Sequence, residues 1–173
     1  MSYPKKRYFG DKGEVSAVYR PGDTAPDVRS GGGGAMHYLS RGTDTDGHYG
    51  LYRVDLAAGS GTSTHFHKTM SEAFYLLSGK LRLFDGERWF EAKAGDYAYV
   101  PPGGLHAFRN ETGELISFLM LFAPGAPREE YFERLGEVAQ MSEEERLDFF
   151  LAHDNHFTDT SAGPSGPIAG YRD

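Results

Sequence analysis

No cysteine occurs among the 173 residues, which removes disulfides, thiolate nucleophiles and cysteine-ligated zinc from consideration. Positive charge is also scarce. Eighteen Lys and Arg stand against 25 Asp and Glu, a formal net charge of −7. That balance argues against wholesale nucleic-acid binding, which needs a basic face. The longest apolar run, LISFLMLF at 115–122, is interrupted by Ser117 and is far too short to span a bilayer. Near the N-terminus, Lys5, Lys6 and Arg7 lead into a polar stretch and not an apolar signal. A soluble, cytoplasmic, single-domain protein is the expectation, without membrane or nucleic-acid partners.

What is present is apolar and aromatic. Hydrophobic residues make up 39% and aromatic residues 14%, enough to build a substantial core. Residues 1–34 form a polar arm ending in SGGGGA. Four glycines in a row suggest a phosphate cradle, but no helix and no Lys-Ser/Thr pair follows, so a flexible loop is the reading. From 35 to 123, short alternating segments are separated by Gly, Pro, Asn or Asp. Strands are predicted at 35–39, 48–56, 63–67, 72–77, 80–84, 88–92, 97–100, 105–109 and 115–122. Asp85-Gly86 marks a tight hairpin. Many short strands without intervening helices predict an all-β antiparallel sandwich or barrel, not a parallel α/β sheet.

Two short amphipathic helices are expected to follow over 124–157 and pack on the β-domain. The first places Tyr131, Phe132, Leu135, Val138 and Ala139 at helical spacing. The second opens with Ser142 and Glu145, a capping-box pair, and carries Leu147, Phe150 and Leu151. Residues 158–173, rich in Gly, Pro and Ser, read as a flexible tail.

The chemistry concentrates in two stretches. In GSGTSTHFHKTMSEAFYLLSG (59–79), His65 and His67 sit two apart and so project from one face of a strand. A short turn can bring Glu72, at the start of the next strand, beside them. Imidazole and carboxylate together are ligands for a borderline divalent metal. In GDYAYVPPGGLHAFRN (95–110), His106 follows a loop stiffened by Pro101 and Pro102 and supplies a fourth ligand. The remaining histidines carry weaker signals. His37 and His48 suit a packed or surface role, and His153 and His156 suit the end of the last helix, where a cation favours the dipole.

Together the stretches resemble the cupins. Gly59, His65, His67, Glu72 and Gly79 meet the first cupin motif, and Gly95, Pro101, Gly103, His106 and Asn110 meet the second, across a spacer of 15 residues at 80–94. The resemblance implies a small cupin or jelly-roll barrel at 35–123, with a metal held inside by His65, His67, Glu72 and His106. It also implies a homodimer. The layout of one barrel followed by an aromatic, acidic helix (REEYFERLG, 128–136) is similar to bacterial single-domain quercetin (flavonol) dioxygenases.

One divalent transition metal per chain (Fe, Mn, Ni, Co, Cu or Zn) is therefore expected, with Glu72 as both ligand and catalytic base. Strand parity places Phe74 and Leu76 with Glu72, Phe108 with His106, and Phe118 with Met120, a candidate substrate pocket. Arg109 points away from His106, which leaves the pocket aromatic. The leading expectation is a dioxygenase acting with O2 on a flavonol-like, aromatic or enolic small molecule. Two others stand beside it: a non-oxidative isomerase or lyase acting on a sugar or keto acid, and a non-catalytic binding cupin.

Overall fold

The computed structural model describes residues 3–158; the predicted tail from 159 onward lies outside them. Ten strands precede the helices: β1 (Val28–Arg29), β2 (Ala35–Ser40), β3 (Gly50–Leu56), β4 (His65–Phe66), β5 (Ser71–Ser78), β6 (Lys80–Phe84), β7 (Trp89–Lys93), β8 (Tyr97–Val100), β9 (Ala107–Arg109) and β10 (Ile116–Ala123). All nine predicted strands are among them. After β10 come α1 (Glu129–Arg134), a 3-10 segment (Leu135–Gln140), α2 (Glu143–Ala152) and a final strand β11 (His156–Phe157).

All described pairings are antiparallel, as expected. The strands divide into a six-stranded sheet in the order β1-β2-β3-β10-β5-β8, a three-stranded sheet β7-β6-β9 and a pair β11-β4. The expected barrel is thus an open set of sheets sharing one core. Strand β10 shows why. Its alternate residues Ile116, Phe118, Met120 and Phe122 are buried while those between are partly exposed, as a half-buried strand requires. Met120 lies opposite both Tyr52 and Phe74, and Phe118 opposite both Val54 and Leu76. Leu81 and Leu83 of β6 and Phe108 of β9 close the same cluster from the other sheet. Each such side chain contributes about 1.5–3 kcal/mol of burial. Gly79, at φ 77°, carries the chain from one sheet to the other where a Cβ would strike the Ile116 side chain.

Three local readings differ from the structure. The four glycines form a hydrogen-bonded 3-10 turn, Gly31–Gly33, in which Gly32 and Gly33 have positive φ, and not a flexible loop. The preceding Val28–Arg29 adds a strand to the large sheet. In α2, the capping box forms as expected, with Ser142 Oγ accepting from Glu145 N and Glu145 Oε2 from Ser142 N. Its buried face, however, is Phe149 and Phe150, while Leu147 and Leu151 are exposed. The i, i+4 pair Leu147 and Leu151 lines a surface groove beside Phe66 and Phe157. In the first helical stretch Tyr131, Phe132, Leu135 and Val138 are buried and Ala139 is not.

Candidate metal centre

His65 and His106 face one another across an antiparallel bridge, each backbone N–H donating to the other's carbonyl at 3.0 and 2.9 Å. Two residues on, His67 projects beside His65, as the strand period requires. Glu72 enters from β5, opposite Val100 on one side and Phe122 on the other. All four side chains are buried, and one donor atom from each lies within 4.8 Å of the others.

The hydrogen bonds fix which atoms point inward. His65 Nδ1–H donates to the Ser63 carbonyl at 2.9 Å, His106 Nδ1–H to the Gly104 carbonyl at 2.9 Å, and His67 Nδ1–H to the Asp154 carbonyl at 2.6 Å. A carbonyl only accepts, so each Nδ1 carries a proton and each ring, when neutral, offers Nε2 as a lone pair. Those Nε2 atoms meet a carboxylate. Glu72 Oε2 stands 2.7 Å from His106 Nε2 and 3.2 Å from His67 Nε2. Acceptors at such distances need a cation between them, either a proton or a metal ion. One proton answers one contact, whereas one divalent ion answers all four donors. The donor set therefore fits a borderline transition metal, with each imidazole oriented from behind as ligand histidines are.

The titration behaviour follows from this packing. Burial pushes the Glu72 carboxyl up, but hydrogen bonds and charge from His106 and His67 outweigh it and hold the group well below the usual carboxylate range. Burial, followed by the neighbouring His106 and His67, drives His65 well below the ordinary histidine value. His106 goes the other way: burial lowers it, and the Glu72 hydrogen bond and charge raise it overall.

A cavity of about 90 Å³, partly open to solvent, reaches His65, His67 and Glu72. Of the five residues expected to shape a pocket, Phe108 and Met120 line it. Phe74, Leu76 and Phe118 are absent from its lining and nearly fully buried. Phe74 and Phe118 pack their rings against Phe108 at 5.6 and 5.5 Å. The inward face of a strand runs the length of the core, so parity gives its side and not its depth. Arg109 is exposed and lies over Trp89, pointing away from the site as expected. Asn110 is buried as a turn-fixing residue, its amide donating to the Leu56 and Glu114 carbonyls at 2.9 and 2.8 Å.

The C-terminal segment contributes more than its sequence suggests. Strand β11 pairs with β4, setting His156 opposite Phe66 and Phe157 opposite His65. Asp154, at φ 55°, accepts the backbone N–H groups of Lys68 and Thr69 and the Thr69 hydroxyl on its carboxylate. His153 is the C-cap of α2. Burial and the nearby Arg128 lower its pKa. His156 is in strand β11, not at a helix end, and stacks on Phe66. His37 is packed, within 2.6 Å of Arg53 and 3.3 Å of Asp55, and His48 is exposed. Arg128 and Asn155 also line the cavity and were not singled out by sequence reasoning. A lone arginine before a helix and an Asn between two histidines carry no motif that marks them.

No helix among the described residues is long and apolar enough to cross a membrane. Residues 52–122 match the family model for the cupin domain. An uncharacterized protein from Aquifex aeolicus is 39% identical over 61 residues, covering 35% of this chain and 49% of that protein. Quercetin 2,3-dioxygenase from Bacillus subtilis is 39% identical over 72 residues, covering 39% of this chain and 21% of that protein. The chain thus spans about half the length of the first relative and about a fifth of the second. An RmlC-like cupin from Shewanella frigidimarina superposes with a TM-score of 0.55 at 20% identity, over 67% of this chain and 96% of that one. The double motif, the antiparallel sheets around a shared core, the buried His-His-Glu-His cluster and these matches agree: residues 52–122 form a cupin domain.

Proposed function

We propose that this cupin is a metal-dependent dioxygenase of small enolic or aromatic molecules, with His65, His67, Glu72 and His106 holding one divalent transition metal. The observation that carries the metal reading is the fixed tautomer of the three histidines. Their Nδ1–H groups are all committed outward to carbonyls, so three lone pairs and a carboxylate converge on one point. The dioxygenase reading draws on the likeness of this segment to the Bacillus subtilis quercetin 2,3-dioxygenase. A redox-active ion bound there supplies Lewis acidity toward an enolic oxygen and electron transfer toward O2.

The chain's own residues do the rest. The cavity walls Phe108, Met120 and Phe122 exclude water from one side of the site. Glu72, ionised across the physiological range, takes the proton of the substrate hydroxyl. Both histidine contacts fall on its Oε2, which leaves Oε1 as the atom to receive that proton.

Metal content per chain, followed by oxygen uptake with a flavonol, tests the reading. One equivalent of redox metal with oxygen consumed in step with flavonol is expected. Turnover that continues at full rate without oxygen would place the chain among non-oxidative enzymes instead. Glu72→Gln tests the base: metal retained with activity unchanged would remove that role.

A further inference from the structure

Arg128, just before α1, is 3% exposed, and no ion pair joins it to a carboxylate among the described residues. One terminal nitrogen donates to the His153 carbonyl, and the other reaches Asn155 Oδ1 at 3.3 Å. Its buried Nε–H has no acceptor among the described residues. Its guanidinium lies 5.0 Å from the Phe122 ring centroid, 4.2 Å from that of Tyr131 and 5.4 Å from that of Phe132. All three rings line the cavity that reaches Glu72, His65 and His67, and so does Arg128 itself. Neutral carbonyls and aromatic faces soften the cost of burying this charge but do not cancel it.

The nearby carboxylates are already engaged. Glu72 is held by His67 and His106, and Asp154 by the Lys68 and Thr69 N–H groups. Asp55, also on the cavity wall, is tied to His37, Arg53 and the Ser117 hydroxyl. A divalent ion with Glu72, Asp55 and the Arg128 guanidinium leaves the cavity lining with one net positive charge. It does so inside a chain whose formal charge is −7. Low-dielectric walls focus such a field and draw in an anion.

We propose that Arg128 is the anion seat of the cavity, and that the small-molecule ligand carries a carboxylate there while its apolar body lies against Phe108, Tyr131 and Phe132. Arginine suits this role because its planar fork matches a carboxylate. The inference rests on the metal-centre reading for the second polar contact of the ligand. It narrows the enolic or aromatic substrate to one that is also an acid. Arg128 itself belongs to this chain whether or not metal is bound.

The test uses benzoate and its neutral counterpart benzamide, titrated by calorimetry into the full chain with and without metal, beside Arg128→Gln and Arg128→Lys. Benzoate should bind the wild-type protein roughly tenfold or more tighter than benzamide, the scale of a charge-assisted hydrogen bond. That preference should vanish in Arg128→Gln and survive in part in Arg128→Lys, while circular dichroism shows both folded. Equal affinity of wild-type protein for benzoate and benzamide overturns the proposal, even if the variants fail to fold. An undiminished preference in folded Arg128→Gln overturns it as well. Metal content, measured on the same samples, fails separately: protein that takes up no metal yet keeps the Arg128-dependent preference refutes the metal reading and leaves the anion seat standing.

Discussion

The backbone carbonyl of Asp154 accepts the Nδ1–H of His67 at 2.6 Å across 87 residues of sequence. The same residue's carboxylate clamps the turn between His67 and Glu72 through Lys68 and Thr69. One residue of the C-terminal segment thus orients a metal-site histidine and fixes the loop that presents the glutamate. Asp154→Ala removes the clamp and puts alanine at a positive φ, whereas Asp154→Asn keeps an acceptor and tolerates that backbone. Metal affinity is expected to fall about 10- to 100-fold in the alanine variant and much less in the asparagine one. Competition with a chromogenic chelator measures both.

Protons and metal compete for the same atoms. In the metal-free protein the raised pKa of His106 means that its proton stabilises the fold below the ordinary histidine value. That contribution is lost as pH rises through the raised value. Metal binding has the opposite sign, since the ion needs Nε2 unprotonated. Affinity should weaken by about tenfold per pH unit below the His106 pKa and level off above it. Titrations between about pH 5 and pH 8 show the slope; a flat profile would mean that His106 is not a ligand.

Phe74 tests the core and not the site. It is 1% exposed, meets Phe108 and Phe118 at ring distances of 5.6 and 6.0 Å, and is absent from the cavity lining. Phe74→Ala is expected to cost about 3–5 kcal/mol in denaturant unfolding. Phe74→Leu should cost less and leave metal stoichiometry unchanged.

The outer face of β5 and β8 bears on assembly. Tyr75 and Tyr97 are register partners, 44% and 65% exposed, with Tyr99 beside them at 58%. An aromatic patch of this kind suits the homodimer contact expected from the sequence. A native mass of two chains by light scattering is expected, reduced to one chain by Tyr97→Lys with Tyr99→Lys. A single-chain mass for the unaltered protein would remove the homodimer.

The gathering of His65, His67, Glu72 and His106 into one buried cluster was readable because its signals are local. His65 and His67 need only the two-residue period of a strand, and Pro101 and Pro102 announce the bend before His106. The predicted strands other than the two-residue β4 were readable for the same reason, each long enough to alternate. The two-residue strands Val28–Arg29 and His156–Phe157 show no period; each is set by its pairing, the first with nearby Met36 and Ala35, the second with Phe66 and His65 far back in the chain. Arg128 and Asp154 gain their meaning from contacts 25 and 86 residues away. In α2 the apolar residues cover too much of the surface for spacing to say whether Leu147 or Phe149 turns inward. Depth within the core was likewise invisible, which is why Phe108 and Phe74 shared one expectation and occupy different places.

The pairing of β11 with β4 also has a temporal side. A chain emerging from the ribosome exposes all four candidate ligands by His106, yet the carbonyl that orients His67 arrives only with Asp154. For the interval in which those 48 residues are made, the nascent chain holds its imidazoles without that acceptor. The orientation of His67 is therefore complete only once a segment 87 residues downstream has been made and has paired with it.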